Sequence, residues 1–174
     1  MITTFVLSLL PLVVLANYEE CISVTPGTKM DQCCLVPSGL PKEVLEDCLE
    51  TAAMNQVPNR EARNSIICGY ECFMRKIGVV VNQTIYIDKV EEYMAKLEPI
   101  ARDSRIAAWK ICFVNRLNLV AKAKMHPFLC YPFAYAVHYC VRAMVDQNCP
   151  PEYFNDTEMC RKIRAGVPFC KSPE

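Results

Sequence analysis

The chain has 174 residues, with 19 basic and 19 acidic side chains and no formal net charge. That balance argues against a nucleic-acid-binding role and against attraction to an anionic membrane surface, since both call for a basic excess. Hydrophobic residues make up 52% of the chain, a share raised by an apolar start and by twelve cysteines.

The first sixteen residues, MITTFVLSLLPLVVLA, carry no charged side chain. Val14 and Ala16 place small residues at the −3 and −1 positions before Asn17, so residues 1–16 read as a secretory signal peptide. The start lacks Lys and Arg, and only the terminal amine supplies positive charge. The apolar run falls short of the roughly 20 residues that a membrane span needs, and no later segment reaches that length. No membrane insertion is expected. The mature chain, 17–174, reads as one domain: an N-terminal arm (17–40), a helical core (41–149) and a C-terminal extension (150–174).

In the arm, Pro26, Gly27, Pro37 and Gly39 break any period, and Cys21, Cys33 and Cys34 supply tie points. Adjacent Cys33 and Cys34 point in different directions and are expected to bridge to different partners. Pro41 is expected at the first position of a helix, with Glu43, Glu46 and Asp47 suiting its positive end. Val44, Leu45, Cys48, Leu49 and Ala52 recur at the three- and four-residue spacing of an amphipathic helix. Gln56-Val57-Pro58 ends it. Asn59 is positioned to cap a second helix that runs to about Ile77, where Gly78 stops it. Within it, IICGYECFMRKIGVVV carries Cys68 and Cys72 on one face, so each can be tied to a different neighbouring helix.

The segment 79–87, VVVNQTIYI, has the composition of a strand but no partner elsewhere, and is expected to be a loop or extended connector. Asp88 is expected to cap a short helix, DKVEEYMAKL, which Pro99 closes. A longer helix follows from about Ser104 to Lys122, capped by Asp103 or Ser104, with Ile106, Trp109, Ile111, Cys112, Phe113, Leu117 and Val120 as a broad apolar stripe. After the connector at His126-Pro127, a helix from Pro132 to Gln147 presents Phe133, Val137, Cys140, Val141 and Met144. Pro150-Pro151 ends that pattern. A last short helix, TEMCRKIRA, is capped at Asp156 and stopped by Gly166, and Cys170 staples the tail back. The fold class is all-α: a disulfide-stapled bundle of about six or more short-to-medium helices with stapled terminal extensions.

All twelve cysteines lie in the mature part, at 21, 33, 34, 48, 68, 72, 112, 130, 140, 149, 160 and 170. An even count behind a signal peptide implies a disulfide framework formed in an oxidising compartment. Zinc is disfavoured, because there is no C-x-x-C pair and the only histidines are His126 and His138. Neither a metal nor a cofactor is expected. Asn82-Gln83-Thr84 and Asn155-Asp156-Thr157 are candidate glycosylation sequons. A chain this long can bury about 70% of its surface without staples. Six bridges therefore suggest that the scaffold tolerates a cavity or survives outside the cell.

The spacings carry more. Three residues separate Cys68 and Cys72, 39 separate Cys72 and Cys112, and 17 separate Cys112 and Cys130. Nine lie between Cys130 and Cys140, and eight between Cys140 and Cys149, which Pro150 follows at once. This series, with acidic DKVEEYM after the central pair, resembles the insect odorant-binding protein family, in its mosquito-type Plus-C branch. That branch adds cysteines to the family's six and places a proline directly after one of them. The resemblance covers nearly the whole mature chain. It implies three interlocked bridges, Cys48–Cys72, Cys68–Cys130 and Cys112–Cys140, with the other six cysteines joining the terminal segments to the body or to each other. A second register takes Cys140 and Cys149 as the last two and pairs Cys68–Cys140 and Cys112–Cys149. The first is preferred.

The resemblance also implies a function in olfaction or a related sensory role. The protein would be a secreted carrier of small hydrophobic molecules, whether odorant, pheromone-like or lipidic, in sensillar lymph or a similar extracellular fluid. An odorant receptor or a second copy of the chain would be its further partners. A hollow core loses packing contacts. One bridge offsets about 3 to 4 kcal/mol of that loss in the chain-entropy account. Candidate wall residues are Phe73, Met74, Ile77, Tyr93, Met94, Leu97, Trp109, Phe113, Leu117, Phe128, Phe133, Val137 and Met144, each of which also reads as ordinary core. No enzyme is expected: DQCCLVP lacks the histidine of a phospholipase A2, and no Gly-x-Ser-x-Gly or His-Glu-x-x-His motif occurs. The alternative is a secreted interaction module of the inhibitor or saliva type. Release of cargo by acid, suggested by the family, rests here on two histidines.

Overall fold

The structure is a computed structural model that describes residues 21–23, 33–54, 62–125 and 128–170. The expected signal peptide, much of the arm, the Asn59 cap and His126 lie outside the described residues. The described chain is mostly helical: α1 (Lys42–Met54), α2 (Ala62–Lys76), α3 (Ile87–Met94), α4 (Pro99–Val114), α5 (Arg116–Lys124), α6 (Phe133–Gln147) and α7 (Glu158–Arg164). A 3-10 turn, Pro151–Tyr153, follows α6.

Local chemistry sets the boundaries. Pro41 stands just outside α1, its carbonyl accepting from the Leu45 N–H. Gly78 ends α2 at φ +73, and the Val79 N–H folds back to the Met74 carbonyl at 3.1 Å. The segment expected as a connector is instead a two-stranded antiparallel hairpin, β1 (Val80–Val81) with β2 (Thr84–Ile85). Its partner lies within the segment itself. Asn82 and Gln83 take φ +48 and +67, the left-handed turn that matches strand twist, so VVVNQTI folds on itself.

Three further boundaries differ from expectation. No side chain caps α3, which begins at Ile87 after Tyr86 rather than at an Asp88 cap. Pro99 does not close α3 but opens α4 as its first residue, where a missing N–H costs nothing. Asp103 and Ser104 therefore lie inside α4. The long helix expected from Ser104 to Lys122 is two helices that meet at Asn115, where the side-chain amide and the backbone N–H both donate to the Ile111 carbonyl, at 3.0 and 3.1 Å. Thr157, not Asp156, caps α7, accepting from the Cys160 N–H at 3.2 Å.

All twelve cysteines are paired. Cys48–Cys72 joins α1 to α2, Cys68–Cys130 joins α2 to the segment before α6, and Cys112–Cys140 joins α4 to α6. This is the first of the two registers. Cys21–Cys170, Cys33–Cys160 and Cys34–Cys149 fasten the N-terminal arm to the C-terminal segment. Backbone bridges reinforce them, Ile22 with Phe169 and Cys34 with Phe154. The core lies between α2, α4 and α6, with Phe73, Met74, Met94, Trp109, Phe133 and Val137 fully enclosed.

Candidate ligand site

The thirteen expected wall residues do not meet around one void. Phe73, Met74, Ile77, Met94, Trp109, Phe133 and Val137 are buried in the packed core, and Tyr93, Leu97, Phe113 and Met144 pack against it. Phe128 is half-buried. Leu117 faces outward at 72% exposure and cannot line an interior wall. Its place in the apolar stripe assumed one continuous helix, and the break at Asn115 turns α5 away from that face.

Two expected residues border clefts, Phe133 beside the hairpin and Trp109 at an open cleft of about 280 Å³ where four parts of the chain converge. The arm contributes Cys34, Ser38 and Leu40, and α2 contributes Tyr70. Arg105 and Trp109, four apart on α4, supply the floor. His138, Val141, Arg142, Val145 and Asp146 recur at helical spacing along one face of α6. The α2 turn that carries Tyr70 is held by the flanking bridges at Cys68 and Cys72.

The polar groups are ordered. The Tyr70 hydroxyl and His138 Nε2 are 3.0 Å apart, with the rings 4.2 Å between centroids. Arg105 donates from Nε to the Pro37 carbonyl at 2.9 Å and from Nη2 to the Val36 carbonyl at 2.5 Å, which clamps the arm against α4. Burial lowers the Arg105 pKa to about 10, so the group stays charged at neutral pH. Arg142 Nε faces Asp146 Oδ2 at 3.7 Å across one helical turn. Burial, reinforced by the Arg142 and Arg105 charges, lowers His138 to about 4, so its ring is neutral under ordinary conditions. Among the described residues that border the cleft, two guanidinium groups stand against one carboxylate, a positive balance.

No protein-family model matches the chain, and no curated protein matches it.

Two other clefts border α6 and the hairpin. One of about 270 Å³ lies between α6 and the tail, along Tyr139, Ala143, Val167 and Phe169. The other, about 220 Å³, is bordered by Arg75, Asn82, Tyr131 and Phe133. Sequence reasoning missed Tyr70, Arg105 and Arg142 because it sought apolar walls only. The signal was present in α6, where HYCVRAMVD sets polar residues at helical spacing on a face otherwise apolar. Among the described residues no cluster of three His, Cys, Asp or Glu side chains forms a metal site, and no helix is long and apolar enough to cross a membrane.

Proposed function

We propose that this protein is a secreted carrier of small hydrophobic molecules, of the insect odorant-binding type, and that its cargo bears an oxygen-containing head group. The observation that carries the reading is the cleft at Trp109. Leu40 and the Tyr70 ring border it beside the buried Trp109, Val141 and Val145, for an apolar body, and Arg142, Tyr70 and His138 border it for a polar end. Its volume, about 280 Å³, lies just below the roughly 300–1,000 Å³ range of drug-sized ligand sites, which suits a small amphipathic molecule. The positive balance of charge favours a carboxylate head over an amine. A neutral His138, engaged by Tyr70, is a weak base at neutral pH, which supports carriage over catalysis. Six bridges fit a fluid outside the cell. A domain spanning 17–174 fits the way the two ends are fastened to one another.

Trp109 is the only tryptophan in the chain, so intrinsic fluorescence reports the cleft directly. Titration of the oxidised protein with medium-chain carboxylic acids, alcohols and amines of matched length is expected to give saturable changes, largest for the acids. Ser38→Phe, at an exposed position on the rim, is expected to fill the cleft and abolish the change without altering the melting temperature. A flat response to every member of the panel would remove the carrier reading. The filled core at Met74, Met94 and Val137 would then favour the second reading, a secreted interaction module.

A further inference from the structure

The neutral total conceals a separation of charge along the chain. Between Asp103 and Asp146 there is no acidic residue, yet the stretch holds Arg105, Lys110, Arg116, Lys122, Lys124 and Arg142. By contrast, α1 carries Glu43, Glu46, Asp47 and Glu50. In the middle of the acid-free stretch lies α5, and its side chains are arranged unusually. Leu119, Val120 and Ala123 face the core. The opposite face is apolar as well: Leu117, Ala121 and Met125 follow at i, i+4 and i+8, and all three are exposed, Leu117 at 72% and Met125 at 74%. A helix apolar on both faces is normally enclosed; this one is not.

At 3.6 residues per turn, Lys124 falls on one border of the outer stripe and Lys122 on the other. Among the described residues neither lysine forms an ion pair, whereas Lys42, Lys76, Lys89 and Lys110 each meet a carboxylate. A greasy stripe bracketed by free ammonium groups is the arrangement of a helix that lies in the headgroup layer of a membrane.

We propose that the outer face of α5 docks the protein on an anionic lipid surface, with Leu117, Ala121 and Met125 entering the headgroup layer and Lys122 and Lys124 meeting its phosphates. A second copy of the chain fits poorly, because a two-fold contact through this face sets lysine against lysine. A protein partner fits poorly too. The stripe is about 12 Å long on one convex helix, too little for the roughly 1,000 Å² of a stable interface. It also lacks the aromatic anchors such interfaces rely on. A lipid surface requires no complementary shape, and its anionic charge adds attraction for the lysines to the modest apolar area buried. The docking is peripheral and leaves the Trp109 cleft, on other elements, unoccupied by lipid.

The test is co-sedimentation of the oxidised protein with vesicles of phosphatidylcholine alone and of phosphatidylcholine mixed with phosphatidylserine. Binding is expected on the anionic vesicles only, and is expected to fall with added salt. Lys122→Ala with Lys124→Ala is expected to weaken it about thirtyfold. Leu117→Ser with Met125→Ser is expected to weaken it as well, while Lys96→Ala leaves it unchanged. All of these positions are exposed, so circular dichroism should show an unaltered fold. Equal binding to both kinds of vesicle, no binding to either, or indifference to the lysine pair overturns the proposal. If vesicles fail but the serine pair abolishes self-association or capture by an acidic protein, the face belongs to a protein partner instead.

Discussion

His138 shows how one residue's surroundings set its chemistry. Burial first, and then the Arg142 and Arg105 charges, hold its folded pKa near 4 against an ordinary value of 6.5. The unfolded chain therefore binds more protons than the folded one between those values. Stability from this group is full above about pH 6.5 and is lost as pH falls towards about 4. His138→Gln is expected to flatten that acid limb in urea titrations read across pH. Proton NMR of the ring should show no titration between pH 7.5 and pH 5. For the alcohols, whose own charge is constant, affinity at the Trp109 cleft should accordingly match at those two values, so acid-triggered release through His138 is not expected. Tyr70→Phe removes the hydroxyl from the ring and is expected to cost about 1 kcal/mol. The two sequons differ at this scale. Asn82 is exposed at the hairpin turn, whereas Asn155 is half-buried with its backbone N–H donating to the Cys33 carbonyl at 3.0 Å. Mass spectrometry of protein from a eukaryotic secretory host is expected to find a glycan at Asn82 in preference to Asn155.

Among the elements, α1 and α2 make the most extensive contact, and Gly69 sits where they meet. A methyl group there would lie 2.5 Å from Leu49 Cδ2 and 3.2 Å from the Leu49 Cα. The backbone atom cannot turn aside as a side chain can, and Cys48–Cys72 beside it prevents the helices from separating. Gly69→Ala is therefore expected to destabilise by about 1 to 3 kcal/mol, read from the midpoint of urea unfolding, even though alanine is the better helix former. Gly78→Ala meets no neighbouring atom and should cost less, through its positive φ alone.

For the molecule as a whole, the N-terminal arm makes one wall of the Trp109 cleft. The arm reaches the cleft because Cys34–Cys149 and the Arg105 clamp hold it there. Cys34→Ala with Cys149→Ala is expected to weaken the Trp109 response to ligand several-fold. Cys21–Cys170 lies farther out. It spans 149 residues of sequence, but with Cys33–Cys160 intact it closes only two short arms. A loop of about 20 residues gives a loss near 3 kcal/mol for Cys21→Ala with Cys170→Ala, and ligand binding should survive that change. Full reduction is expected to abolish binding.

The sequence by itself determined the helical class, most helix extents and the use of every cysteine in bridges, because periodicity, proline, glycine and cysteine act locally or through the chain's own spacing. It placed α2 between two bridges and the stop at Gly78 where they are found. It did not separate the hairpin from a loop, because pairing two residues with two others depends on turn geometry more than on composition. It did not find the break at Asn115, since the apolar stripe continues through it in sequence but not in space. Only tertiary structure decided where the site lies. Whether Met74 and Val137 line a void or fill it depends on how closely α2 and α6 approach, and no spacing along a chain records that distance. The same packing brought Ser38, Tyr70, Trp109 and Arg142, from four separate segments, to one cleft.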